Sequence, residues 1–387
     1  MTESPFLTTR LQGFGTTIFA EMSALAARTG AINLGQGFPD TDGPELIADG
    51  AVDAIRAGHN QYPPGPGISE LRTAVAAHQE HWYGLTYDPE CEVLVTAGAT
   101  EAIAACLIAL CEPGDEIVMF EPYYDSYAAC TAIAGATRRV VTLRTPDYSF
   151  DRDELRRAIT PQTKAILLNS PHNPTGKVFD RSELELIASL CIEHDLIAIT
   201  DEVYEHLTYD GAEHLPLATL PGMRDRTVTI SSAGKTFSYT GWKIGWLSAS
   251  TDLVAAVRTA KQFLTYAVGT PFQHAIAAGL TKLPDTYYRD FAADLQARRD
   301  LLVGGLRAAG FEVFVPCGTY FVTVDIRPLG ESDGLAFCRS LPDRAGVVAV
   351  PNVVFYDDKH AGKSLVRFTF CKRREVLEEA VTRLGAV

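Results

Sequence analysis

The sequence predicts an α/β protein: a mostly parallel central sheet with helices on both faces, plus a smaller α+β domain. Three observations carry this. From about residue 90, short apolar runs recur: EVLVT (92–96), EIVMF (116–120), KAILLN (164–169), LIAIT (196–200), TVTIS (227–231) and IGWLS (244–248). Between them lie stretches apolar at helical spacing, such as EAIAACLIALC (101–111) and RSELELIASLCIEHD (181–195). Strands apolar throughout and separated by helices belong to parallel sheets covered on both sides. After about residue 284 the texture changes. The long amphipathic DTYYRDFAADLQARRDLLVGGLRAAGF leads into the strand candidates FEVFV, TYFVTVDI, VVAV and LVRFTF, the pattern of a second, α+β unit. The expected division is 1–44 as an N-terminal arm and lead-in segment joining the small domain, 45–284 as the large domain, and 285–387 as the small C-terminal domain.

Bulk composition bounds the function. The 387 residues suffice for two domains and a large core. The net charge of −14 argues against nucleic acid as a general partner, so an anionic ligand must be held by local cations and backbone donors. MTESPFLTTRLQGFG has no apolar signal core, and no run reaches the roughly 18 apolar residues of a membrane span. Eight cysteines without a CxxC pair indicate reduced core thiols, and nine histidines without HExxH give no reason to expect a metal. The expectation is a cytoplasmic enzyme or binding protein with no membrane partner.

In open α/β sheets, ligands bind beyond the carboxyl ends of the strands. EVLVT runs into AGATEA (97–102), EIVMF into EPYYDSY (121–127), KAILLN into SPHNPTG (170–176), LIAIT into DEVY (201–204), and TVTIS into SAGK (232–235). AGATEA sets Gly98, Ala99 and Thr100 at a strand-to-helix turn, whose free N–H groups suit an anion; a plain tight turn is the alternative. Ser232 and Lys243 can add a hydroxyl and a cation, as a phosphate requires; Lys243, wedged between Trp242 and an apolar run, reads as too confined for solvated surface, with a snorkelling lysine as the alternative. Lys235, near that phosphate and partly desolvated, has the makings of an amine nucleophile.

Phosphate, reactive lysine and buried carboxylate together suggest pyridoxal phosphate, which takes a lysine Schiff base and an acidic partner on its pyridine nitrogen. Asp201, after an apolar strand, fits that partner; a helix N-cap competes equally on position alone. Asn173 in a rigid Asn-Pro-Thr-Gly turn, with Tyr204, can donate to the cofactor's phenolate oxygen, or the tetrapeptide is only a turn. Tyr124 can stack on the ring or pack in an interface. Arg367, inside the apolar LVRFTF, must be paired or line a cleft. Its planar fork suits an α-carboxylate, with a structural salt bridge as the alternative.

These motifs in this order resemble the class I/II aminotransferases of pyridoxal phosphate fold type I, the aspartate-aminotransferase-like fold, from NLGQGFPD (33–40) to RFTF (367–370). The resemblance implies that Lys235 holds the cofactor covalently and that Asp201 pairs with its ring nitrogen. It implies further that Asn173 and Tyr204 contact the phenolate oxygen, and that Gly98, Ala99, Thr100, Ser232 and Lys243 bind the phosphate. Tyr124 would stack on the ring, and Asn169 and Arg367 would hold the substrate carboxylate with Gly37 closing over it. Tyr62 of NQYPPGPG would reach the neighbouring subunit's phosphate, which implies a homodimer with shared sites. Lysine at 243, where much of the family has arginine, is similar to the kynurenine/glutamine aminotransferase branch and closer still to the N-succinyldiaminopimelate aminotransferases of lysine biosynthesis. The implied activity is ping-pong transfer of an amino group between an amino acid, glutamate above all, and a 2-oxo acid. A β-lyase using the same lysine is the nearest rival. A non-catalytic sensor lacks its DNA-binding module here, and a nucleotide-binding protein lacks GxGxxG and GxxxxGKS. Side-chain specificity stays open among Arg10, Arg28 or another arginine for an acidic substrate, and Phe14, Phe19, Tyr62 and Tyr266 for an aromatic one.

Overall fold

The six apolar runs become six strands of one seven-stranded sheet. The structure is a computed structural model that describes residues 6–15 and 17–387; the first five residues of MTESPFLTTRLQGFG, and Thr16, lie outside the described residues. In chain order the strands are β1 (Ile32–Asn33), β2 (Val93–Thr96), β3 (Glu116–Glu121), β4 (Thr137–Thr142), β5 (Thr163–Asn169), β6 (Ile197–Asp201), β7 (Thr227–Ser232), β8 (Gly245–Ser248), β9 (Glu312–Phe314), β10 (Phe321–Asp325), β11 (Val347–Val348), β12 (Val350–Pro351) and β13 (Leu365–Thr369). The central sheet has the order β2-β8-β7-β6-β5-β3-β4. Only β8 runs against its neighbours, β2 and β7; the other pairings are parallel.

Both faces of this sheet are buried, which explains the unbroken apolar runs. Along β3, Ile117 and Met119 pack into one core while Val118 and Phe120 pack into the other. The helices that cover these faces start where the chain supplies caps. Asp180 and Glu183 form a capping box at the head of Arg181–Glu193, a feature worth about 1 kcal/mol. One strand of this sheet was not foreseen. β4 is TRRVVT, an edge strand pairing only with β3, with Thr137 and Arg139 exposed and only Val141 buried. Arg138 in it reaches Asp357 at 2.8 Å, and charged side chains are a usual guard on an open sheet edge.

The second unit is an antiparallel four-stranded sheet of order β12-β13-β10-β9. The 24-residue helix Asp285–Ala308 packs Leu295, Leu302 and Leu306 onto it, beside Leu377 and Leu384 of the last helix. The lead-in helix Ile18–Thr29 contributes Ile18, Met22 and Ala26 to the same core, and β1 pairs with β11. In β13, Arg367 lies between Thr323 of β10 and Val350 of β12. Among the described residues no helix is long and apolar enough to cross a membrane, and all eight cysteines are free thiols.

Candidate active site

Asn169, Asp201 and Ser232 are the last residues of β5, β6 and β7, so parallel pairing sets them side by side at one edge. Asn169 and Asp201 are register partners. The Asn169 amide is committed on both ends: Nδ2 donates to the Asp201 carbonyl at 2.8 Å, and Oδ1 accepts from Asn173 N at 2.7 Å. Asn169 therefore ties the Asn-Pro-Thr-Gly turn to the end of β6.

Asp201 is buried, and no helix begins after it, so the N-cap reading falls away. Its Oδ2 accepts from Tyr127 Oη at 2.6 Å, and Oδ1 from Val203 N at 3.4 Å. Burial raises its pKa, against the Tyr127 hydroxyl, the Val203 N–H and the charge of Lys235. A carboxylate at the end of an apolar strand is stabilised by a cation. Tyr127, three residues along from Tyr124, is a site residue that the sequence reading passed over.

Lys235 sits in the four-residue helix Ala233–Thr236. Burial, reinforced by Lys243 and Arg367, draws its pKa down to about 8 against the pull of Cys371 and Asp201. Its Nζ lies 5.8 Å from the Tyr204 ring and 5.7 Å from the Tyr320 ring. Those two rings meet edge to face at 5.2 Å.

The turn that the sequence offers for an anion begins with a glycine in the left-handed region. Gly98 opens the helix Gly98–Leu110 with φ +72°, and Ala99 and Thr100 follow in its first turn. A Cβ on Gly245, at the start of β8, would come within 2.6 Å of the Gly98 carbonyl carbon and 2.9 Å of Ala99 N. Two glycines thus let β8 press against the helix N-terminus. Lys243, itself left-handed at φ 56°, lays its Nζ 3.4 Å from where a Gly98 side chain would stand. It is exposed, not wedged into the apolar run as its neighbours suggested: the left-handed backbone aims the side chain over the turn, away from the core. Ser232 is buried.

Arg367 is 1% exposed. Its Nη1 donates to Asn173 Oδ1 at 2.9 Å and Nη2 to the Gly35 carbonyl at 2.9 Å, while the buried Nε has no partner among the described residues. Among the described residues, the structural salt bridge is thus not what is found. The rings of Phe321, Phe19 and Phe355 surround the guanidinium at 4.0, 5.2 and 5.2 Å. Burial lowers its pKa to about 10, which leaves it a cation at neutral pH. Gly37 is fixed here too. Tyr320 Oη donates to its carbonyl at 2.6 Å, and a Cβ on it would strike Phe321 at 2.4 Å.

Tyr124 caps the helix Asp125–Ala134, half-buried and edge-on to Tyr127 at 5.8 Å, its pKa pushed up to about 12 by burial. Tyr62 stands 83% exposed against Tyr266 at 5.4 Å, near exposed Phe263 and Leu264. Arg10 and Arg28 are exposed. Phe14 packs on the large-domain core, so of the proposed side-chain contacts it is Phe19 that reaches Arg367. Phe321 and Phe355 were missed. Both are apolar residues in apolar runs, and only folding brings them to the arginine.

The residues fit pyridoxal phosphate. The glycine-lined helix N-terminus with Lys243 above it suits a phosphate. Asp201 suits a ring nitrogen, and Lys235 suits an aldehyde carbon. The Asn173 amide, its oxygen held by Arg367, has Nδ2 left to donate.

The profile of the family described as aminotransferase class I and II matches residues 29–384. A probable N-succinyldiaminopimelate aminotransferase of Mycobacterium tuberculosis, DapC, is 52% identical over 389 residues, 98% of each chain. The solved structure of N-succinyldiaminopimelate aminotransferase from Mycobacterium tuberculosis superposes with a TM-score of 0.96 at 53% identity, over 98% of this chain and 99% of that one. A methionine aminotransferase of Escherichia coli is 38% identical over 388 residues, 99% of each chain.

Proposed function

Because the chain belongs to the class I and II aminotransferases, we propose that it is a pyridoxal-phosphate-dependent N-succinyl-LL-2,6-diaminopimelate:2-oxoglutarate aminotransferase of lysine biosynthesis. The observation that carries the chemistry is the convergence of Lys235 and Asp201, at the end of the central sheet, with Arg367 of β13, which is buried and has no carboxylate partner among the described residues. The likeness to DapC along 98% of the chain supports the substrate.

When bound, pyridoxal phosphate supplies the electron sink that lets a substrate Cα lose its proton. Gly98, Ala99, Thr100, Ser232 and Lys243 hold the phosphate. Asp201, kept charged in part by the Tyr127 hydroxyl, holds the ring nitrogen protonated. Asn173 and Tyr204 donate to the phenolate oxygen, and Tyr124 covers the ring. Arg367 takes the α-carboxylate on its fork, under Gly37 and against the aromatic wall of Phe19, Phe321 and Phe355. Asn169 acts by holding Asn173 and Asp201 in register, since its amide already serves the backbone. Lys235, its pKa drawn down to about 8, would be the group that accepts the Cα proton at Nζ. The exposed Tyr62, Phe263, Leu264 and Tyr266 support a homodimer in which Tyr62 serves the neighbouring site.

L-Glutamate added alone to the pyridoxal-phosphate-loaded enzyme should bleach the visible band, and 2-oxoglutarate should restore it. A band indifferent to glutamate but bleached by methionine, kynurenine or glutamine would move the assignment to the second reading, an aromatic and sulfur amino-acid aminotransferase with β-lyase activity. That reading draws on the three phenylalanines around Arg367 and on the 38% likeness to methionine aminotransferase.

A further inference from the structure

One buried cluster of titratable groups is unused by this reaction. Glu205, four residues beyond Asp201, is 4% exposed. Its Oε1 accepts from Ser231 Oγ at 2.6 Å, and its Oε2 accepts from Tyr83 Oη at 2.8 Å. Ser231 lies on β7 directly before Ser232 and four residues before Lys235. Glu205 directly follows Tyr204. One carboxylate therefore joins the segment carrying Asp201 and Tyr204 to the segment carrying Ser232 and Lys235. The backbone ladder of β6 with β7 ends just before this point, with Asp201 opposite Ile230 and a last bond from Glu202 N to the Ile230 carbonyl at 2.8 Å.

Around this carboxylate, His78 and His206 meet Nε2 to Nε2 at 2.8 Å, and His214 pairs with Glu202 at 2.8 Å. Trp82 and Tyr288 stand 4.8 and 4.4 Å from the His206 ring. Donor atoms of His78, Glu205 and His206 lie within 4.8 Å of one another, a set that suggests a metal. The imidazole contact argues otherwise. Two nitrogens on one tetrahedral ion, each about 2.0–2.1 Å from it, stand farther apart than a direct N–H···N bond. Burial lowers the pKa of both rings, which keeps them neutral. A buried carboxylate with two hydroxyl donors and a neutral imidazole pair is compensated, and removing one donor leaves a costly orphan.

We propose that Glu205 is a positioning residue for the amino transfer: through Ser231 it locks the turn that runs from Asp201, the last residue of β6, through Tyr204, to the strand end bearing Ser232 and Lys235. The proposal rests on the reading that this edge holds pyridoxal phosphate. Two of the cofactor's contacts come from each segment, so loss of the tie loosens their spacing without touching the cofactor itself.

The test uses the full chain as Glu205→Ala, Ser231→Ala and the double variant. Each is titrated with pyridoxal 5′-phosphate by tryptophan fluorescence, and the visible spectrum of the loaded form is followed with pH. Thermal midpoints and bound metal are measured alongside. Each single change is expected to weaken cofactor binding about tenfold and to shift the pH at which the band changes. The double variant should be no worse than Glu205→Ala alone, because Ser231→Ala removes only a bond that Glu205→Ala has already removed. Parent-like affinity and spectrum in Glu205→Ala with only a lowered melting midpoint would overturn the proposal. So would additive effects, or one equivalent of transition metal per parent chain. A parent chain that binds no pyridoxal phosphate would instead defeat the cofactor reading, and the parent titration separates the two.

Discussion

Arg367 and Asn173 are bonded side chain to side chain, Nη1 donating to Oδ1 at 2.9 Å. A guanidinium has only donors, so this bond fixes which end of the amide faces it, and leaves Asn173 Nδ2 free to donate elsewhere. On the proposed reading, substrate recognition and cofactor orientation would share this one contact.

Arg367→Lys keeps the charge and removes the fork. It is expected to raise KM for L-glutamate about a hundredfold, with a smaller fall in kcat, and to shift the visible band because Asn173 loses its orienting bond. Steady-state kinetics and a spectrum of the loaded enzyme check both. An unchanged KM would remove Arg367 from the carboxylate.

Lys235 carries a stability signature. Its folded-state pKa of about 8 lies below the ordinary lysine value of 10.5. Below pH 8 the lysine is protonated in both states, and the fold bears the full cost of a buried ammonium. Between roughly 8 and 10.5 the unfolded chain binds the extra proton, so stability rises with pH and the cost fades. Cofactor-free Lys235→Met should therefore be more stable than the parent at pH 7, with a gap that closes as pH passes 8 toward 10. Urea midpoints across that range measure it; a constant gap would mean that the amine is not perturbed. The same variant should not turn over.

Tyr127→Phe removes a hydroxyl donor from Asp201. Donors favour the charged carboxylate, so the Asp201 pKa should rise further and the acid limb of kcat/KM should move to higher pH. A fall of about tenfold in kcat is expected at the low-pH end, on the scale of one charge-assisted bond. An unmoved acid limb would uncouple Tyr127 from the ring nitrogen.

Gly245→Ala places a methyl 2.6 Å from the Gly98 carbonyl carbon. The helix N-terminus must then shift, and the affinity for pyridoxal phosphate should fall at least about tenfold, a displacement of donors from a charged ligand. Equilibrium titration of the folded variant reads the change directly.

What the sequence disclosed follows from physical locality. Strands buried on both faces announce themselves as apolar runs, so β2, β3, β5, β6, β7 and β8 were legible, and with them the site residues that follow each one. The edge strand β4 was not, because Arg138 and Arg139 break its apolar pattern. The reversed direction of β8 was also hidden, since an apolar run looks the same either way. Lys243 misled because apolar neighbours do not say where a left-handed residue points its side chain. Contacts made only by folding, such as Tyr127 on Asp201, Phe321 on Arg367 and Glu205 on Ser231, leave no local trace.

The most direct measurement of the central claim is a coupled assay of the loaded enzyme with N-succinyl-LL-2,6-diaminopimelate and 2-oxoglutarate, following glutamate formed. The account predicts sustained glutamate production that exceeds, in kcat/KM, what methionine or kynurenine supports as the amino donor. No glutamate from the succinylated substrate, with brisk turnover of methionine or kynurenine, would contradict it.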